Sequence, residues 1–110
     1  MALQEFTSCI EACDACALAC LHCAASCLDE DDPGAMARCI KLDLDCAALC
    51  RVAADAMARG SEHAEAICAL CADVCEACAQ ECEQHEMDHC QDCAEACDLC
   101  AQACRGMSEG

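Results

Sequence analysis

The sequence of 110 residues contains no tryptophan, no tyrosine and a single phenylalanine, Phe6. A core built on large rings is excluded, although residues of hydrophobic type make up 58% of the chain. Cations are scarce as well: five Lys and Arg stand against 22 Asp and Glu, for a formal charge of −17. That balance argues against nucleic acid and anionic membrane as partners, because both are bound through basic patches. It leaves an acidic, solvated exterior. One proline and four glycines interrupt the chain, and none of the glycines forms a phosphate-binding loop. No nucleophile, base and orienting group form a set, so catalytic turnover is not expected. Nor is there an uncharged apolar run of the roughly 20 residues that a membrane helix needs. The N-terminus, MALQEFTSCIEAC, has no basic segment followed by an apolar one and no twin arginine. A cytosolic location is therefore expected.

Cysteine is what the chain has instead, at 19 residues. Cys9, Cys13, Cys16, Cys20, Cys23 and Cys27 alternate steps of four and three. The same alternation runs through Cys68, Cys71, Cys75, Cys78 and Cys82, and again through Cys90, Cys93, Cys97, Cys100 and Cys104. Alternating fours and threes mark the inward seam of a packed α-helix, where leucine is usual. Protonated cysteine is a small hydrophobe, so a bundle of neutral thiols can fold, with less apolar burial than leucine would give.

The punctuation predicts an all-α chain of four helices forming one domain over residues 1–110. The first is expected from Leu3 to Leu28, followed by the acidic run Asp29 to Asp32. Asp32 before Pro33 reads as the cap and first position of the second helix, which should end at Arg59 before Gly60. Ser61 is the expected cap of a third helix reaching Glu83. Asp88 is the expected cap of a fourth that frays after Arg105. The third and fourth look shorter than the first two. Short connections make successive helices antiparallel, giving an up-down-up-down bundle with a cysteine-lined core.

The second helix is the exception. Its seam reads Met36, Cys39, Asp43, Cys46, Cys50, Ala53, Met57, so only Cys39, Cys46 and Cys50 carry sulfur. A slight rotation would carry Asp43 to solvent and bring Ile40 and Leu44 inward, which is the expectation. The alternative is a buried carboxylate that accepts thiol protons or acts as a weak ligand.

Sulfurs four residues apart on one helix lie on one face, with Cβ atoms about 5–6 Å apart. With metal–thiolate bonds of about 2.3 Å, a pair such as Cys16 and Cys20 can straddle one ion. Soft thiolates select Cu(I), zinc or iron–sulfur clusters. Isolated tetrahedra for zinc usually come from separated pairs on loops. Cluster ligands come from loops that wrap the cluster. A continuous sulfur column suits Cu(I), which accepts two or three thiolates and shares them, so loading should approach about one ion per cysteine. Nineteen monovalent cations also neutralise nineteen thiolates. The alternatives are a metallothionein-like zinc or broad-specificity thiolate sink, and a redox protein using CxxC pairs. A disulfide scaffold fits poorly, because the count is odd and bridges along one helix constrain little.

The CxxxC and CxxC alternation from Cys9 to Cys104 resembles that of the bacterial copper storage proteins, four-helix bundles whose cysteine-lined lumens fill with Cu(I). The resemblance covers nearly the whole chain and points to the cytosolic branch. It implies a homotetramer and many cuprous ions per chain. One end of such a bundle would gather Cys27, Met36, Cys39, Cys82, His85, Met87, His89 and Cys90. His85, three residues after Cys82, should face the lumen, with His89 at the rim. Both are candidate ligands at a copper gate. Phe6, Met57 and Met107 should plug the other end, and His63 and His22 should bind nothing. A second stripe (Leu3, Ile10, Ala17, Leu21, Leu28) with Leu42, Leu49, Ile67 and Val74 could pack within the bundle or between chains.

Overall fold

The computed structural model describes residues 6–109. Four α-helices follow one another: α1 Thr7–Leu28, α2 Ala37–Arg59, α3 Ala64–Glu83 and α4 Asp88–Glu109. Their backbones neighbour one another around a ring: α1 beside α2, α2 beside α3, α3 beside α4 and α4 back beside α1, while side chains meet across the centre, as Cys50 of α2 and Cys100 of α4 do at 3.8 Å. This is the expected antiparallel bundle, elongated to 48 × 19 × 18 Å. Short connections dictate the antiparallel order, and the cysteine seams dictate which face turns inward.

The helix ends depart from the sequence reading in instructive ways. Asp32 makes no capping hydrogen bond, and Pro33–Met36 forms a 3-10 turn, so α2 begins only at Ala37. Proline's fixed φ suits that tighter turn as well as it suits an α-helix. At the other end of α2, Gly60 takes φ 65°, and the amides of Gly60 and Ser61 bond to Met57 O and Ala56 O. This is the left-handed closure that glycine adopts without steric cost. Ser61 does not cap α3 directly. Its Oγ accepts from the amide of His63 at 3.1 Å, shaping the turn ahead of a helix that starts at Ala64. Helix α4 does not fray at Gly106 but continues to Glu109, so at 22 residues it matches α1. Arg105 in its last turns reaches Asp73 and Glu76 of α3 at 2.6 and 3.0 Å. The expected start of α1 at Leu3 lies outside the described residues.

Cysteine and alanine fill the interior. All 19 cysteines are buried, and every one is a free thiol. Ala17, Ala47, Ala72, Ala79, Ala94 and Ala101 are buried between them. With small side chains on adjoining faces the helices approach closely, and the sulfurs meet along the axis. Phe6 and Met57 are buried at one end, with Met107 partly buried against the same core.

Candidate metal centre

Each seam delivers its thiols to a common lumen, where Sγ atoms from different helices stand at van der Waals or weak hydrogen-bond distance. Starting from the end occupied by Phe6, Cys9 meets Cys104 at 3.8 Å, and Cys100 meets Cys13 at 3.6 Å. Midway, Cys46 is 3.5 Å from Cys75, and Cys16 is 3.6 Å from Cys97. Further along, Cys93 is 3.6 Å from Cys20 and Cys39 is 3.7 Å from Cys82. Beyond these, Cys23 meets Cys90 at 3.8 Å and Cys27 meets Cys39 at 3.9 Å. Pairs along a helix close the same network, as at Cys16–Cys20 (4.0 Å) and Cys71–Cys75 (3.9 Å).

These spacings define coordination sites. Four Sγ atoms lie within 4.8 Å of one another in quartets such as Cys13, Cys71, Cys100, Cys104 and Cys23, Cys27, Cys39, Cys90. Three more quartets overlap: Cys16, Cys20, Cys46 and Cys97 each belong to two of them. Overlap makes the column a shared ligand array. With bonds of about 2.3 Å, the sulfurs of a trigonal site stand about 4.0 Å apart. The observed contacts of 3.5 to 4.0 Å lie at or just inside that separation.

Asp43 corrects the sequence reading. Helix α2 has not rotated; the carboxylate points into the lumen and is wholly inaccessible to solvent. Leu44, expected inside, is 49% exposed, and Ile40 is only partly buried. Oδ1 of Asp43 accepts from Cys78 at 3.2 Å, Cys93 at 3.3 Å and Cys82 at 3.6 Å, while Oδ2 accepts from Cys39 at 3.8 Å. Four thiols thus compensate a buried acceptor that would otherwise be costly. Burial, reinforced by Cys93 alongside, pushes the Asp43 carboxyl up to about 8. The lumen continues past this rung through the carboxylate and through Cys78–Cys82, 4.0 Å apart on α3. At Ala53, also buried, α2 contributes no sulfur and the quartet is supplied by the other helices.

The end opposite Phe6 carries the two candidate histidines. Both are partly buried, and both are engaged through Nε2: His85 with Glu81 Oε2 at 2.8 Å and His89 with Glu30 Oε2 at 3.2 Å. His89 Nδ1 is 3.5 Å from Cys90 Sγ, in direct reach of the thiol column. Burial pushes two of the thiols at this mouth up, Cys90 to about 11 and Cys27 further. His63 is exposed at the start of α3, and His22 is exposed on α1. The pairing of Glu81 with His85 is visible in sequence as a four-residue spacing. The pairing of Glu30 with His89 joins residues 59 apart and has no local signal.

Comparison with known proteins agrees with this geometry. The family profile described as copper storage protein matches residues 2–109. The chain belongs to the copper storage protein family. A Cu(I)-bound copper storage protein, BsCsp3, is similar with a TM-score of 0.90 at 50% identity, covering 94% of this chain and 97% of that one. A cytosolic copper storage protein from Streptomyces lividans, solved with five coppers, superposes with a TM-score of 0.94 at 38% identity, covering 98% and 95%. The cysteine-rich protein YhjQ of Bacillus subtilis is 50% identical over 82 residues, covering 74% of this chain and 76% of that protein. The four-helix fold is therefore shared with these relatives, and Asp43 is the position at which this chain's lumen presents an oxygen to the thiols.

Proposed function

We propose that this protein stores and buffers Cu(I) in the cytosol, holding about one cuprous ion per cysteine inside the bundle and carrying out no catalytic turnover. The single observation that carries this reading is the burial of all 19 thiols in one lumen with overlapping quartets. Nineteen thiolates in a dry interior would repel one another beyond what packing could offset, so the empty lumen holds neutral thiols. Each arriving ion displaces about one proton per thiolate it needs, and monovalent cargo leaves a full lumen near neutrality. Divalent zinc at equal loading would leave a large positive excess. As a tetrahedral guest it could occupy only one of two overlapping quartets at a time. A metallothionein-like zinc sink is therefore the alternative.

His85 and His89 serve as the exchangeable ligands at the mouth, where imidazole hands copper to the thiol column. Family membership supports assembly as a homotetramer, and Leu18, Leu21, Leu28, Leu70 and Leu99, all exposed, offer apolar surface for it. The test is an anaerobic Cu(I) titration of the reduced protein against a competing chelator. Saturation near one ion per cysteine is expected, with zinc saturating near one ion per four. Uptake of only a few cuprous ions would refute the reading.

A further inference from the structure

The two mouth histidines share an arrangement that goes beyond ligand identity. Each places Nε2 on a carboxylate, Glu81 in the last turn of α3 and Glu30 in the connection that follows α1. Glu81 is buried, and its second oxygen, Oε1, is held by Arg38 Nη1 of α2 at 2.8 Å. Paired with the guanidinium, Glu81 is the anion of an ion pair, and a carboxylate oxygen can only accept. A group that only accepts requires a hydrogen on His85 Nε2. In a neutral ring that leaves Nδ1 with the lone pair. The same logic applies to His89, whose Nε2 faces Glu30 and whose Nδ1 faces Cys90 Sγ.

We propose that Glu81, anchored by Arg38, and Glu30 are positioning residues that fix the mouth histidines in the Nε2–H tautomer, so that each offers Nδ1 to incoming copper. The proposal rests on the copper reading above. A carboxylate behind a ligating imidazole both orients the ring and raises its basicity, and loss of such a partner costs about 10–100-fold in metal affinity or activity. Arg38 extends the device by one step: it spans α2 to α3 and keeps Glu81 from swinging to solvent.

The test begins without metal. Nitrogen NMR of the imidazoles in the reduced, metal-free protein should show Nε2–H and a bare Nδ1 on both His85 and His89. In Glu81→Ala the His85 nitrogens should move toward the average of the two tautomers while those of His89 stay. Cu(I) uptake from a chelator should slow about tenfold with final capacity unchanged. Because Glu81 acts through His85, the double variant Glu81→Ala/His85→Ala should be no slower than His85→Ala alone. Glu81→Gln, of equal size, should shift uptake in the same direction by less and covers a failure of the alanine variant to fold. Nδ1–H on either histidine in the unaltered protein, or additive slowing in the double variant, would overturn the proposal. A low copper capacity with the tautomers as stated would instead overturn the storage reading.

Discussion

Replacing Asp43 with asparagine isolates the one strong acceptor in the thiol network. In the folded chain its carboxyl is pushed up to about 8, against an ordinary value of 3.8. Between those values the native state keeps a proton that the unfolded chain has released, so the unfolded state binds fewer protons and stability falls as pH rises. The slope for one proton is about 1.4 kcal/mol per pH unit, which over roughly four units sets a ceiling near 6 kcal/mol. Below about pH 4 the group is neutral in both states and the asparagine variant should match the parent. Near pH 8.5 the variant should be the more stable one, by at least about 2 kcal/mol. Thiols of the unfolded chain begin to ionise there too, but equally in both proteins, so the difference between them isolates residue 43. The assay is urea unfolding of reduced, chelator-treated protein across pH 4.5 to 8.5, compared as a difference at each pH. A difference that does not change with pH would refute the reasoning. So would a parent that gains on the variant as pH rises, because the thiols would then be stabilising the carboxylate beyond its cost of burial.

Three further outcomes are expected. Met57→Ala, at a wholly buried position beside Phe6, should destabilise the metal-free protein by about 2–5 kcal/mol with copper capacity unchanged; urea unfolding and titration check the two halves. Gly60→Ala forces a side chain into φ 65° with nothing nearby to clash, and should cost about 1 kcal/mol through backbone strain alone. Copper loading should release about one proton per cysteine in unbuffered solution, with far-UV circular dichroism unchanged and the thermal midpoint raised by mass action.

The helices and the direction of the sulfurs were legible because a four–three alternation leaves little freedom: rotating α1 by one position would expose six thiols and bury Asp14 in their place. Asp43 was misread for a related reason. Its place on the seam of α2 was plain, but its burial depends on thiols from α3 and α4, at Cys78, Cys82 and Cys93, that no local pattern connects to it. The same holds for Glu30 and His89. The end of α4 was misread because Gly106 suggests a stop, whereas Arg105 ties that turn to Asp73 and Glu76 of α3. Pattern reveals which face of a helix turns inward. It does not reveal which polar group on that face finds partners from the other helices.

Those partners explain how a lumen of thiols can be preformed for metal. Many small metal domains fold only when the ion arrives, because their ligands belong to a chain too short to close a core. Here the core closes on neutral thiols, with alanines between the helices and contacts of 3.5 to 4.0 Å across the lumen. A trigonal thiolate site needs sulfurs about 4.0 Å apart, which the bundle supplies to within a few tenths of an ångström. Loading is therefore expected to exchange S–H for S–Cu with little movement of the backbone, so that the free energy of binding goes into retention instead of folding. The cost falls on specificity of filling: where quartets overlap, as around Cys16, Cys20, Cys46 and Cys97, no sulfur belongs to one ion, and the first ions to enter are free to redistribute. Asp43 breaks that equivalence. It is the one rung where an oxygen competes with sulfur for the neighbouring protons, and it lies between the quartet of Cys20, Cys78, Cys93 and Cys97 and that of Cys23, Cys27, Cys39 and Cys90. A soft ion gains less from that oxygen than from a thiolate, so the run of sulfur ligands is interrupted at this rung.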